Sequence, residues 1–552
     1  MALMKRSARV LVIDDQSNWR RTIERTLIQD PEHTFLVDTA DTPESARERL
    51  AKGFYHVTIL DIRLRHNDQD DAGGMTILEE IYKSGLTDAM DVVMLSGHGT
   101  HLQMRDALAR YQATDYILKE TYDNLLFLEL IRGLTHDSTT SGSRTRFHKK
   151  LALDVYWQGG LRGAQHAILG VKVNGERISE DSPLHETMSA EIDDLICRLF
   201  HNAEEVILYP LIRGMSGAGV LRAVPRFDEG IGGHRVVKFG DVHQIEAEKQ
   251  NYETYVRNLA TGNYATNIVT TARTPRLGGI IYSFLGGAGQ QLDDFGTLFL
   301  DTPVEDLDQI LNTLRQIYTR TCASWFVNPD IKARSLSEHY HSFLNIDQET
   351  LSTALDNIKD IRVTPQGIYF NGLGMATPLT NPLALAQDEG FVEISSFCTT
   401  HGDLNERNIL VDNDGHTWLI DFRHTGKGHL MRDFASLEVA LRFELLAVED
   451  ITLQHRYEME QLLDKVRRYE DYTALSSTFS GAHPLLHKVF EAIIALRECA
   501  GDQVKGSPHA SLREYQIALF FCTLNALRFK SLSNLQRQHV LLTACILAEQ
   551  LQ

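Results

Sequence analysis

The sequence predicts two folded parts in series. The first is an α/β part built on a doubly wound parallel sheet. The second is a larger α+β part, with strands first and helices after. Three observations predict this. Four short apolar runs within residues 8–118 end in Asp, Ser or Lys and are separated by helical stretches, the pattern of parallel strands whose ends share one sheet edge. Residues 206–286 carry strand-like runs broken by glycines. From about residue 287 most segments place apolar residues at helical spacing.

The chain has 552 residues, a length that accommodates two to four domains. Its 43% hydrophobic content is ordinary for a globular protein. A net charge of −19 argues against nonspecific nucleic-acid binding and against anionic membranes. The six cysteines (197, 322, 398, 499, 522 and 545) form no Cys-x-x-Cys pair, which predicts reduced thiols and a cytoplasmic protein. The first residues include Lys5, Arg6 and Arg9, but the apolar run behind them stops at Asp14, so a strand is expected there and not a signal peptide. No apolar stretch approaches the roughly 20 residues that span a bilayer. No internal repeat is visible, and no basic helix-turn-helix follows the first part.

Taken in order, residues 8–13 read as a buried strand followed by Asp14 and Asp15. Residues 17–28 and 43–52 read as helices, the second with Thr42 as N-cap and Pro43 in its first turn. Strands at 57–60, 92–95 and 115–118 end in Asp61, in Ser96-Gly97-His98-Gly99 and in Lys119. Asp14, Asp15, Asp61, Ser96 and Lys119 therefore share one edge. Three crowded carboxylates repel, and a divalent cation such as Mg²⁺ relieves this. Asp61 then acts as nucleophile toward a phosphoryl group, Lys119 supplies positive charge and Ser96 a hydrogen bond. His98 reads as an exposed loop histidine.

This set resembles the receiver domain of two-component response regulators, flavodoxin-like in fold, over about residues 7–134. The resemblance makes Asp14 and Asp15 the acidic metal pair and Asp61 the phosphoacceptor and third metal ligand. It makes Ser96 the switch hydroxyl, Tyr116 the switch aromatic and Lys119 the characteristic lysine. It implies a cognate histidine kinase or phosphotransfer protein as partner. Two features depart from the pattern: Glu120 follows Lys119 in place of proline, and the loop at 63–74 is longer and more acidic than usual.

Residues 135–146 are polar and without periodicity and read as a linker. Helical density is expected at 147–157 and again at 186–201, where Met188, Ile192, Leu195, Ile196 and Leu199 recur at helical spacing. These helices should pack on the first domain or on the sheet that follows. A Gly-rich turn, Gly214-Met215-Ser216-Gly217-Ala218-Gly219, joins two strand-like runs. Glycines let backbone N–H groups approach phosphate, which makes Gly214, Ser216, Gly217 and Gly219 candidate nucleotide contacts. Val236-Val237-Lys238-Phe239 is a strand with a central lysine, and a helix is expected over 242–259.

Residues 401–428 hold the densest chemistry. Asn413-Asp414-Gly415 makes a hairpin turn between Ile409-Leu410-Val411 and Trp418-Leu419-Ile420. The hairpin brings Asp403, Asn408 and Asp421 to one edge. One carboxylate can accept a hydroxyl proton while the amide and the other carboxylate hold Mg²⁺.

The pattern His-x-Asp-x-x-x-x-Asn followed by Ile-Asp-Phe resembles the bilobal protein-kinase-like fold in its aminoglycoside-phosphotransferase branch. The longer run Asp-Phe-Arg-x-Thr-Gly-x-Gly-His, with Asp433-Phe434 and Leu437-Glu438 beyond it, is similar to the bacterial ternary-complex-associated family of kinase-like domains. The resemblance implies that Asp403 is the catalytic base, Asn408 a metal ligand and Asp421 the main metal ligand. It also implies that Lys238 contacts the phosphates of ATP or another nucleoside triphosphate and pairs with a helix glutamate. Glu248 is the chosen partner, with Glu246 and Glu253 as rivals. Residues 278–286 take the place of the interlobe hinge. Arg423 departs from protein kinases, which have glycine after Asp-Phe.

The resulting domain plan is a receiver (1–134), a linker and helical adapter (135–200), a kinase-like N-lobe (201–286) and a mostly helical C-lobe (287–552). The expected function is a response regulator in which phosphorylated Asp61 controls an ATP- and Mg²⁺-dependent phosphotransferase with an unknown acceptor. The alternative is a nucleotide-binding signalling module without transfer. A homodimer is compatible with either. Nucleic acid and membrane are not expected partners.

Overall fold

The computed structural model describes residues 7–65, 71–97, 99–135, 153–158, 160–210, 217–259, 266–283, 292–387, 390–475, 479 and 483–552. The chain divides into two compact units, Met1–Lys249 with Asn267–Gly289, and Gln250–Thr266 with Gln290–Gln552.

The first unit opens with β1 (Ala8–Ile13), α1 (Ser17–Ile28), β2 (Phe35–Ala40), α2 (Pro43–Lys52), β3 (Val57–Leu60), α3 (Gly73–Lys83), β4 (Asp91–Ser96), α4 (His101–Arg105), β5 (Asp115–Leu118) and α5 (Asn124–Thr135). The strands pair in parallel in the order β2-β1-β3-β4-β5. Alternate side chains of the buried strands point to opposite faces, so two apolar cores form. One packs Leu11, Ile13, Leu60 and Met94 with Ile77 and Ile81 of α3. The other packs Val10, Val12, Ile59 and Val93 with Ile23 of α1 and Ile131 of α5. Thr42 caps α2 by accepting the Ser45 N–H, and Pro43 stands at the start of that helix.

The same unit continues with β6 (Asp154–Trp157), α6 (Gly163–Ile168), β7 (Lys172–Val173), β8 (Glu176–Arg177), α7 (His185–Leu199), β9 (Glu205–Pro210), β10 (Gly219–Phe227), β11 (Gly230–Ile231), β12 (Arg235–Asp241), α8 (Val242–Asn251), β13 (Asn267–Arg273) and β14 (Leu277–Ser283). A second sheet runs β13-β14-β12-β10-β9-β6, with β11 on β10. The expected helix over 147–157 is corrected here. Residues 154–157 are a strand parallel to β9, because Val155, Tyr156 and Trp157 favour a pleated, half-buried surface. The part before residue 153 lies outside the described residues. Helix α7 lays Met188, Ile192, Leu195, Ile196 and Leu199 into the core formed with Leu208, Leu221, Val237 and Ile281.

The second unit begins at Gln250, with the last residues of α8, and continues in a helical turn over Tyr252–Val256. It then carries β15 (Leu292–Asp294), α9 (Phe295–Asp301), α10 (Leu307–Gln316), β16 (Asp330–Ser335), α11 (Leu336–Leu344), α12 (Gln348–Asp356), β17 (Ile361–Thr364), β18 (Gly367–Phe370) and α13 (Pro382–Leu385). After these come β19 (Val392–Thr400), β20 (Ile409–Asp412), β21 (Thr417–Leu419), β22 (Gly426–His429), α14 (Met431–Val439), α15 (Leu453–Asp464), α16 (Tyr472–Leu475), α17 (Pro484–Val504), α18 (Leu512–Ala526) and α19 (Asn534–Leu551). Three small antiparallel sheets, β15-β20-β21, β16-β19-β22 and β17-β18, sit among the helices. The helical core holds a buried ionic network. Glu438 accepts from Arg442 and Arg497, and Glu460 accepts from Arg442 and, at 2.9 Å, from His539 Nε2.

Candidate functional site

Two centres emerge, one in each unit, with the Lys238 pair as a third element. The first centre lies where β1, β3, β4 and β5 end. Lys119 Nζ bridges Asp14 Oδ2 at 2.6 Å and Asp61 Oδ2 at 2.7 Å, and all three side chains are buried. The Gln16 N–H donates to Asp14 Oδ1 at 2.8 Å, and Arg20 donates to the Asp14 carbonyl at 2.5 Å. Burial pushes the Asp14 carboxyl up to about 6, against the pull of Lys119 and with added repulsion from Asp61. Carboxylate oxygens of Asp14, Asp15 and Asp61 lie within 4.8 Å of one another. A donor set of three hard oxygens with crowded charge fits Mg²⁺. Ser96 and Tyr116 are buried nearby. Gly99 makes room for the Tyr116 hydroxyl, because a Cβ at residue 99 would stand 1.7 Å from that oxygen. His98 lies outside the described residues, as does part of the 63–74 loop.

In the second sheet Lys238 Nζ meets Glu248 Oε2 at 2.6 Å, both side chains being buried. The other Glu248 oxygen accepts the Tyr282 hydroxyl. Glu246 instead meets Arg273 at 2.7 Å, and Glu253 is exposed on the turn beyond α8. Gly214 and Ser216 lie outside the described residues. Gly217 has φ +80°, a conformation that favours glycine. Gly219 opens β10 where a Cβ would stand 2.2 Å from the Phe239 ring, so close packing alone explains that glycine. The part of the 278–286 run that is described is β14, a buried strand between β12 and β13.

The second centre is the loop between β19 and β20 and the turn after β21. Asp433, at the start of α14, accepts the His401 N–H at 2.6 Å and the Gly402 N–H at 2.9 Å. His401 Nε2 lies 2.9 Å from the Ile420 carbonyl, which fixes the ring proton on that nitrogen. Gly402 has φ +86°, and a Cβ there would stand 2.2 Å from the His424 carbonyl. Asn408 Nδ2 donates to the Asp403 carbonyl at 2.7 Å, and Asn405 Nδ2 reaches Asp403 Oδ1 at 3.3 Å. With its nitrogen so engaged, Asn408 presents its amide oxygen, the atom a hard cation takes. The Ile420 N–H donates to the Asn408 carbonyl at 3.0 Å, which ties β21 and the Asp421 that follows to the same loop. Asp421 is buried and holds φ +70°, an uncommon conformation for a residue with a side chain.

Sequence reasoning assigned no role to Asp433 as the anchor of this loop. Its signal is the buried Arg432-Asp433 pair set between apolar Met431 and Phe434 at the opening of α14. It also missed Glu406 and Glu444. Burial pushes the Glu406 carboxyl up to about 7 with help from Glu444, and Arg407 lies 3.2 Å from Glu406 and 3.7 Å from Glu444.

Residues 10–130 match the response regulator receiver domain. Similar solved structures include a receiver domain protein from Methanospirillum hungatei JF-1, 21% identical over 23% of this chain and 92% of that one, with a TM-score of 0.20. The receiver domain of NtrX from Brucella abortus is 26% identical over 24% of this chain and 99% of that one, also with a TM-score of 0.20. No curated protein matches. Among the described residues no helix is long and apolar enough to cross a membrane. Residues 203–366 and 371–528, more than half of the chain, match the model of Ternary complex associated domain 9. The chain carries a response regulator receiver domain and belongs to the Ternary complex associated domain 9 family.

Proposed function

We propose that phosphorylation of Asp61 controls a kinase-like output domain that moves the γ-phosphoryl group of a nucleoside triphosphate to an acceptor hydroxyl. The observation that carries this reading is the loop at 401–408. Its backbone is pinned by Asp433, and Asn405 and Asn408 converge on Asp403. A carboxylate fixed in this way accepts a hydroxyl proton without reorganising.

In this reading Lys238, held by Glu248, takes nucleotide phosphate oxygens. Asn408 and Asp421 would hold Mg²⁺ through their oxygens, and Mg²⁺ would neutralise charge on the phosphates. At the receiver, Asp14, Asp15 and Asp61 would hold Mg²⁺. Asp61 attacks the phosphoryl group delivered by a histidine kinase or phosphotransfer protein, and Lys119 and Ser96 receive the phosphoryl oxygens.

The test is a transfer assay on the full chain with Mg²⁺-ATP, with and without beryllium fluoride as a phosphoryl mimic at Asp61. Asp403→Asn should lower transfer by roughly 10²–10⁴-fold and leave nucleotide binding in place. A second reading, a nucleotide-binding module without transfer, is favoured by one observation. Arg423, where protein kinases have glycine, lies in a tight 3₁₀ turn over Phe422–His424. Tight Mg²⁺-nucleotide binding with no transfer to sugars, small amines or proteins would decide for the module.

A further inference from the structure

Strand β3 has four residues, all buried. His56 precedes it and Asp61 follows it, so about 16 Å of rigid backbone separates the two. Each end is held differently. At the Asp61 end the partner is Lys119. At the His56 end the Arg9 N–H donates to Nδ1 at 2.8 Å, which leaves the ring proton on Nε2. That nitrogen lies 2.8 Å from Asp194 Oδ1 on α7, and the other Asp194 oxygen accepts from Arg198 Nε at 2.7 Å. His56, Asp194 and Arg198 are each at most 4% exposed.

A second contact lies less than one turn earlier on α7. Glu191 is fully buried and accepts the Arg276 N–H at 2.7 Å, Arg276 Nη1 at 3.0 Å and the Thr274 hydroxyl at 2.7 Å. The other end of the Arg276 guanidinium donates to the carbonyls of Ala51 and Gly53, where α2 ends. A cation there also meets the negative pole of the helix. The backbone of His56 is fixed to both neighbouring strands, by its N–H to the Arg9 carbonyl at 2.8 Å and by its carbonyl to the Asp91 N–H at 2.9 Å. The first domain is therefore tied to α7 and to the β13–β14 turn at the pole opposite Asp61, through buried charges. Buried ion pairs add little stability over apolar packing of the same volume, but breaking one is costly. Such a joint has few tolerated geometries, so a shift in β3 must be followed by α7 or must strain the contact.

We propose that this joint, His56–Asp194–Arg198 with Glu191–Arg276, is the coupling element through which the phosphorylation state of Asp61 reaches α7 and the second sheet. The proposal rests on the receiver domain and needs no activity from the second unit. Coupling is reciprocal, so it is readable from either end.

The test uses the full chain, Mg²⁺ and beryllium fluoride, with hydrogen exchange read on peptides covering 185–199 and 274–283. Saturating beryllium fluoride should change exchange in both peptides by about five-fold or more, and Asp61→Ala should abolish the change. Asp194→Asn keeps the volume and removes the charge. It should erase the response at 185–199 and shift the beryllium fluoride affinity of the receiver by a comparable factor. Unchanged exchange at 185–199, with the peptide around Asp61 showing saturation, overturns the proposal. So does a full response in Asp194→Asn. Should that variant not fold, His56→Gln takes its place, and the wild-type exchange experiment decides without any variant. Loss of nucleotide transfer leaves every one of these readouts untouched, so failure of the phosphotransferase reading is separable.

Discussion

Asp433 gives the sharpest structural prediction. Its carboxylate accepts two backbone N–H groups, His401 at 2.6 Å and Gly402 at 2.9 Å, and the residue is 2% exposed. Alanine at this position leaves both donors buried without an acceptor. Each buried N–H left so costs about 1–3 kcal/mol, which puts Asp433→Ala at about 2–6 kcal/mol. Asparagine can accept one of the two bonds, but its amide nitrogen then faces the other donor, so Asp433→Asn should lose roughly half as much. Global unfolding of a chain with several domains is not two-state, so the assay must be local. Hydrogen exchange of a peptide spanning 397–404 reports these amides directly. A loss of 2 kcal/mol corresponds to about 30-fold faster exchange, and Asp433→Ala should reach at least that. Unchanged exchange in Asp433→Ala would mean that these two N–H groups find their acceptors elsewhere. The assignment of Asp433 as anchor would then fall.

Two further predictions use other contacts. Gly99→Ala should destabilise the receiver by about 1–3 kcal/mol, the usual cost of overpacking, and Tyr116→Phe should relieve much of that because the clash is with the hydroxyl; a double-mutant cycle on thermal unfolding checks this, and additive effects count against the packing argument. His539 is buried and neutral, its imidazole lowered to about 4 by burial despite its bond to Glu460; its contribution is complete above the ordinary value of about 6.5 and is lost as pH falls from there toward 4, so His539→Gln should flatten the stability profile of the second unit by about 1.4 kcal/mol per pH unit in that window, read by urea midpoints at a series of pH values.

The first sheet was legible because its central strands are continuous apolar runs with an acidic or hydroxyl residue at each C-terminal end. β2 went unread: Phe35–Ala40 is an edge strand with mixed burial and no functional residue behind it. Strands β16 and β17 escaped for the same reason, since Ile331, Lys332 and Ala333 of β16 and Arg362 and Val363 of β17 are exposed on short edge segments. The hairpin carrying Asp403, Asn408 and Asp421 was legible because Asn-Asp-Gly sets a turn locally. Asp433 was not, because its role depends on packing a helix 32 residues farther on against the loop. The His56–Asp194 contact spans 138 residues. In a sequence, polar residues that meet across such a distance look like ordinary surface positions, and only burial separates the two.

The turn after Asp421 constrains how this centre can be regulated. Glycine after Asp-Phe would leave the segment free to change its backbone conformation, and Arg423 removes that freedom. Three contacts then close on the turn. Asn251 Nδ2 donates to the Arg423 carbonyl at 2.6 Å. Phe422 is buried between the rings of Tyr252 and His401, at 5.4 and 5.6 Å. The Thr425 hydroxyl donates to the His401 carbonyl at 3.1 Å. Each contact ties the Asp421 turn to another element of the same unit: the His401 loop held by Asp433, or the helical segment with Asn251 and Tyr252. A reversal of the Asp-Phe segment would break all three, including the bond to the buried His401 carbonyl, so it is a poor switch for this chain. Regulation that reaches Asp421 must move the elements that hold it.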